Sequence, residues 1–410
     1  MTTEEPDQTI IGELITAAAS AAPGAVPAVI ARYGFERCAG LLIGEVFGRL
    51  PPPDPAADGV RIRIEVLTGQ DETDDRRHVE VFAFGKCAVR RESAVGVVAD
   101  AVVTWEVAAL VAELFGNRPA STTTVGWDFA PLWLADLEAK LALVRAGELT
   151  PAELGELFDS RVSAVTPAAH AVRSAAGGST ESLEELAVRS GSDKWGHHHW
   201  YARHYDRHFR TLRDQPVRML EIGIGGYADP DSGGASLRMW ARYFRRGLVY
   251  GLDVHDKRGL CSPRVLTLRG DQGDPDLLAA IGREHGPFDI VIDDGSHRSE
   301  HVIASFQALF PYVREEGLYV VEDLQTSYWP SYGGDPDNRI STETAVGYFK
   351  DLVDGLNYRE WKSSEKEESN YLNRWVAALT FYHNIVFITK ALNRENGWPV
   401  WARAPLRAEL

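Results

Sequence analysis

Residues 216–229, PVRMLEIGIGGYAD, constrain the fold more than any other stretch. An apolar run at 217–220 leads into Glu221 and opens into Gly223, Gly225 and Gly226. Glycines clustered just after a buried strand let an α/β sheet bend its backbone around a nucleotide-like ligand. The chain beyond has the matching rhythm. Strands are predicted at 217–222, 248–253, 264–268, 288–293 and 317–321, with helices at 234–244, 275–284 and 299–311. Such alternation predicts a parallel, doubly wound sheet whose functional groups gather at the strand C-termini. A further strand at 381–390 (FYHNIVFITK) is placed to finish that sheet antiparallel.

The N-terminal half reads as α+β. Helices are predicted at 9–22, 105–114 and 128–144, and strands at 60–67, 79–89 and 101–104, with GQDETDDRR as a hairpin loop. It carries no motif that can be tied to chemistry. The predicted division is an auxiliary domain at 1–150, a helical bridge at 151–189 and a nucleotide-type α/β domain at 190–410. A helix in the bridge is expected to start near Ser179 or Thr180.

A formal net charge of -16 disfavours nucleic acid and anionic membranes as partners. No apolar run approaches the roughly 20 residues of a membrane helix, and the acidic start MTTEEPDQT is unlike a signal peptide. Cys38, Cys87 and Cys261 are dispersed, which excludes a cysteine-rich zinc site and fits a reducing cytoplasm.

Glu221 decides among nucleotide-type ligands. GIGGYA approximates the dinucleotide fingerprint, but a carboxylate before the glycines is unfavourable beside two phosphates. It suits the positively charged methionine portion of S-adenosylmethionine. Asp253, ending the second strand, can accept both ribose hydroxyls, and Asp271 or Gln272 is placed to meet the adenine edge.

Asp294, Glu322 and Asp323 follow the fourth and fifth strands in IDDGSH and VVEDLQ. Carboxylates gathered so closely call for a cation, and hard oxygen donors favour Mg2+. His297, three residues beyond Asp294, is a suitable general base, with His301 the competing assignment. Five histidines crowd SDKWGHHHWYARHYDRHF; His204 and His208 share a helix face at i,i+4, yet no third zinc ligand is apparent. In the same segment, Asp193 and Lys194 are placed to meet the charged ends of an amino acid.

LEIGIGGYADPDSGGASLRMWARYF, VYGLDVHDK, IDDGSH and VVEDLQTSYW closely resemble the metal-dependent macrolide-sugar O-methyltransferases and their rhamnosyl-polyketide relatives. The resemblance covers about residues 190–390 and implies a Rossmann-like class I methyltransferase sheet preceded by an α+β auxiliary domain. It implies Asp294, Glu322 and Asp323 as metal ligands and His297 as the base, with Asp294 also at the reacting centre. It implies a cofactor pocket of Ser192, Lys194, Glu221, Gly223, Gly225, Gly226, Tyr227, Asp253 and Asp271, to which the position after the third strand adds Gln272. It further implies a glycosylated polyketide substrate, and a homotetramer in which a neighbouring subunit helps to close the site. The rivals are a metal-dependent catechol or small-phenol O-methyltransferase and a noncatalytic cofactor-binding scaffold.

Overall fold

The computed structural model describes residues 6–20, 22, 24–68, 76–116, 126–129, 131–177, 181–195, 199–361 and 370–394. Most of the expected hairpin loop, the expected helix start at 179–180, His197, His198 and the C-terminal tail lie outside them. The chain divides into two compact units. The first is Met1–Glu181 with Ser262–Arg264, the second Ser182–Cys261 with Val265–Leu410.

The first unit begins with three helices, α1 (Asp7–Ser20), α2 (Ala25–Tyr33) and α3 (Phe35–Gly48). Strands β1 (Arg61–Leu67), β2 (Arg77–Phe84), β3 (Val89–Ser93) and β4 (Ala101–Glu106) follow, then α4 (Val107–Phe115), β5 (Gly126–Phe129), α5 (Pro131–Ala146) and α6 (Pro151–Ala176). The five strands form one mixed sheet in the order β3-β2-β1-β4-β5. Three expectations shift. The single strand at 79–89 is two, β2 and β3. Trp105, expected to open a helix, lies within β4, where burial inside the sheet overrides its helical spacing; the start of the helix expected at 128–144 is strand β5. Residues 151–181 cluster with this unit. A capping box between Thr150 and Glu153 starts α6 by satisfying backbone donors the helix leaves open.

The second unit opens with α7 (Leu183–Ser190) and α8 (Ala202–Phe209). Next come β6 (Arg218–Ile222), α9 (Ala235–Tyr243), β7 (Leu248–Asp253), β8 (Val265–Arg269), α10 (Pro275–His285), β9 (Phe288–Asp293), α11 (Ser299–Leu309) and β10 (Val313–Val321). The last described elements are α12 (Ala345–Leu356), α13 (Tyr371–Trp375), β11 (Val376–Tyr382) and β12 (Ile385–Lys390). The late strand expected at 381–390 is thus a hairpin. Asn384 takes a left-handed turn at φ 64°, which asparagine tolerates, and β12 lies antiparallel on β10 as expected.

The sheet order is β11-β12-β10-β9-β6-β7-β8. Chain order reverses between β6 and β9, and ligands bind beyond strand ends at such a switch point. Register levels those ends: Ile222 pairs with Asp293, and Asp293 with Val321. The residues that follow, Gly223, Asp294 and Glu322, therefore emerge along one edge. Gly223 is obligatory there, because a Cβ would lie 2.0 Å from the Asp294 carbonyl oxygen and its φ is +92°. On one face of the sheet Tyr205, Phe209, Trp240, Phe244 and Phe387 pack as tilted and edge-to-face pairs. Burying each such ring contributes roughly 1.5–3 kcal/mol, which fixes α8 and α9 against the strands that carry the site.

Candidate active site

A cavity of about 700 Å³ opens at the switch point, wholly within the second unit. Of the residues expected to bind a cofactor, Ser192, Gly223, Gly225, Gly226, Tyr227, Asp253, Asp271 and Gln272 line it. Two hydrogen bonds fix the Asp253 carboxylate: Ile224 N donates to Oδ2 at 3.1 Å and His255 N to Oδ1 at 2.8 Å. Each oxygen keeps a lone pair for a hydroxyl donor. Gln272 is already committed. Its Nε2 donates to Asp293 Oδ1 at 2.7 Å, and its Oε1 accepts from Ser296 N at 2.8 Å. It braces the loop beyond β9, and Asp271 is the more exposed of the pair.

Glu221 and Lys194 do not line the cavity. Both are fully buried behind it. Glu221 accepts from Ser236 Oγ at 2.7 Å and from Trp240 Nε1 at 3.3 Å, and lies 3.4 Å from Lys194 Nζ. A direct contact with a methionine cation is replaced by this buried cluster, and Lys194 turns inward to carboxylates rather than outward to an amino acid.

The chain preceding the sheet explains that inward turn. Ser182 and Glu185 form a capping box at the start of α7, and Gly191 closes the helix in the left-handed conformation. The Lys194 carbonyl accepts from the backbone N–H groups of both Tyr201 and Ala202 at 3.0 Å. Its ammonium meets Asp294 Oδ2 and Glu322 Oε1, each at 2.7 Å. Tyr201 and Tyr205, one helical turn apart, deliver phenols to two successive carboxylates. Tyr201 donates to Asp323 Oδ1 at 2.8 Å, and Tyr205 makes a very short bond to Glu322 Oε1.

Burial makes these charges costly, so each carboxylate leans on a partner. It pushes Asp294 and Glu322 above the ordinary carboxylate range, with their mutual repulsion adding to Glu322 and Lys194 opposing the rise in both. For Lys194, burial favours the neutral amine, but Asp294, Glu322 and Glu221 outweigh it and hold the ammonium well above the usual lysine range. At the end of β9, Asp293 is pushed up to about 6 by burial and takes a short bond from Ser305 Oγ.

Among the described residues, Asp294, His297 and Asp323 each offer a ligand atom within 4.8 Å of the others. Two carboxylates and an imidazole, partly open to the cavity, suit a divalent cation. Of the expected ligand set, Asp294 and Asp323 meet here, whereas Glu322 faces Lys194 and Tyr205. Magnesium fits the oxygen donors that Asp294 and Asp323 offer there.

His297 has φ 56°, and its Nε2 lies 3.6 Å from Asp323 Oδ2, too long for a hydrogen bond. His301 instead packs over Gly273, with Nδ1 3.0 Å from Ser296 Oγ. His204 and His208 stack on Tyr382 and Phe387, with centroids 3.9 and 4.1 Å apart, and serve the core rather than zinc. Sequence reasoning missed His199, 3.5 Å from Asp323 Oδ1 and stacked on Tyr201, and missed both tyrosines. The i,i+4 pair Tyr201/Tyr205 was visible; its carboxylate partners were not.

Residues 11–126 match the family model described as MycE methyltransferase N-terminal. The chain is 39% identical to demethylmacrocin O-methyltransferase of Streptomyces fradiae over 97% of its length and 95% of that protein. It is 38% identical to mycinamicin VI 2''-O-methyltransferase of Micromonospora griseorubida over 92% and 87%. It also superposes on MycE methyltransferase solved in complex with Mg, SAH and mycinamycin VI, with a TM-score of 0.81 and 34% identity over 98% of each chain.

Proposed function

The chain belongs to the family of macrolide and polyketide deoxysugar O-methyltransferases, and from that membership we propose a mechanism for its own residues. It is an S-adenosylmethionine- and Mg2+-dependent enzyme that transfers a methyl group to a hydroxyl of a macrolide-linked sugar. One observation carries the mechanistic reading. The cavity bounded by the glycine turn and Asp253 also holds Asp294, His297 and Asp323.

The glycine turn leaves room for the methionine portion, and Asp253 anchors the ribose. Asp294 and Asp323 hold the metal, and Glu322 joins them on the family resemblance. Bound Mg2+ supplies Lewis acidity toward neighbouring sugar hydroxyls, making the reacting one easier to deprotonate. His297 accepts that proton. The oxygen attacks the methyl carbon in line with sulfur, the carbon–sulfur bond breaks and S-adenosylhomocysteine leaves. Alignment of nucleophile and methyl contributes much of the rate gain.

The acceptor we propose is a rhamnose- or allose-like deoxysugar. The N-terminal unit is then an auxiliary domain of a homotetramer, with a part in the substrate pocket. The cysteines Cys38, Cys87 and Cys261 are free, in keeping with a cytoplasmic setting. Among the described residues no helix is long and apolar enough to cross a membrane.

Stripping the protein with EDTA abolishes methyl transfer, and added Mg2+ restores it, when turnover is followed by S-adenosylhomocysteine release. Unchanged turnover after exhaustive chelation contradicts the metal's role.

A further inference from the structure

The ammonium of Lys194 sits where a cation is needed. It is fully buried, 2.7 Å from both Asp294 Oδ2 and Glu322 Oε1 and 3.4 Å from Glu221 Oε1. Its backbone is pinned through its carbonyl by Tyr201 and Ala202, so the side chain is aimed rather than draped. We infer that Lys194 is a positioning residue that holds this carboxylate cluster together as its resident cation and competes with the divalent ion for the carboxylates the two share. The inference rests on the magnesium-dependent reading above.

The physical case is a matter of shared lone pairs. Removing Lys194 would leave Glu221, Asp294 and Glu322 without their counter-charge in a buried lobe, which would then spread, take up protons or draw in another cation. With Lys194 present, the carboxylates stay assembled before any metal arrives. The oxygens that Lys194 holds belong to two of the residues expected to bind metal. An ammonium hydrogen bond and a metal–oxygen bond at about 2.0–2.1 Å draw on the same carboxylate electrons. Metal binding at these residues therefore draws electron density from carboxylates that Lys194 also holds and weakens those contacts. Lys194 thus assembles the site and at the same time weakens its grip on the ion, keeping the metal exchangeable.

The test titrates Mn2+ as an EPR-visible probe into metal-free, full-length protein, comparing wild type with Lys194→Met and Lys194→Gln. Melting temperatures are recorded with EDTA and with excess Mn2+. The expected result is Mn2+ affinity raised at least about tenfold in the variants, together with a lower melting temperature in EDTA that Mn2+ restores. A residue with a merely structural role would not tighten metal binding when removed. Equal or weaker Mn2+ affinity in both variants overturns the competition, as does failure of both to fold even with Mn2+, because the ion could not then take the lysine's place. If wild type itself binds no Mn2+, the metal reading falls and this inference falls with it.

Discussion

His297→Asn lowers kcat by about 100- to 10,000-fold while S-adenosylmethionine affinity stays at the wild-type level, as measured by single-turnover methyl transfer and by calorimetry. That loss corresponds to roughly 3–5 kcal/mol of barrier. Asparagine is the informative replacement because position 297 has φ 56°, and asparagine enters the left-handed region more readily than alanine does. The variant removes the proton acceptor without adding backbone strain. The amide side chain cannot take up the hydroxyl proton, and the co-substrate still meets Asp253, whose carboxylate is held by Ile224 and His255. His301→Asn leaves turnover near wild type, since that ring is engaged with Ser296. Full activity in His297→Asn, or collapse in His301→Asn alone, reverses the assignment.

The second large effect is at Asp323. Asp323→Asn preserves shape but removes the charge that faces His297 and His199 from its two oxygens and accepts from Tyr201. Loss of outer partners at metal sites costs roughly 10- to 100-fold in affinity or activity. Loss of a proposed ligand should exceed that, so Mg2+ affinity and kcat each fall by more than about 100-fold. The left-handed backbone at 323, φ 52°, accepts asparagine as it accepts aspartate. The fold should therefore persist, and circular dichroism and co-substrate binding verify it. Wild-type metal affinity in this variant removes Asp323 from the ligand set.

The sheet was legible because its strands are short apolar runs closed by glycines or acids. The strands at 248–253 and 288–293 match their predicted limits, and both are bounded by charge or glycine. Prediction failed at Trp105, where tertiary burial overruled local pattern and kept the residue in a strand, and at His383–Asn384, where a two-residue turn divides one apolar stretch into two strands. The site was legible in its positions more than in its contacts. That Glu221, Asp294, Glu322 and Asp323 end neighbouring strands follows from strand order; which way each carboxylate turns does not. Lys194 reaches Asp294 across 100 residues of sequence, and no spacing rule links them. The same long-range pairing hid Tyr201 and Tyr205, which look like ordinary aromatic residues on a helix until Asp323 and Glu322 are brought beneath them.

The most direct test of sugar methylation is transfer of a 13C-labelled methyl group from S-adenosylmethionine, with Mg2+ present, to a panel of desmethyl rhamnosides and deoxyhexosyl macrolides set beside simple catechols. The position of the label is read by NMR. The expected result is a single new methoxy signal correlated to a ring carbon of the sugar, with catechols unreacted. Label on a catechol or an aglycone phenol in place of the sugar, or no transfer to any member of the panel, contradicts it.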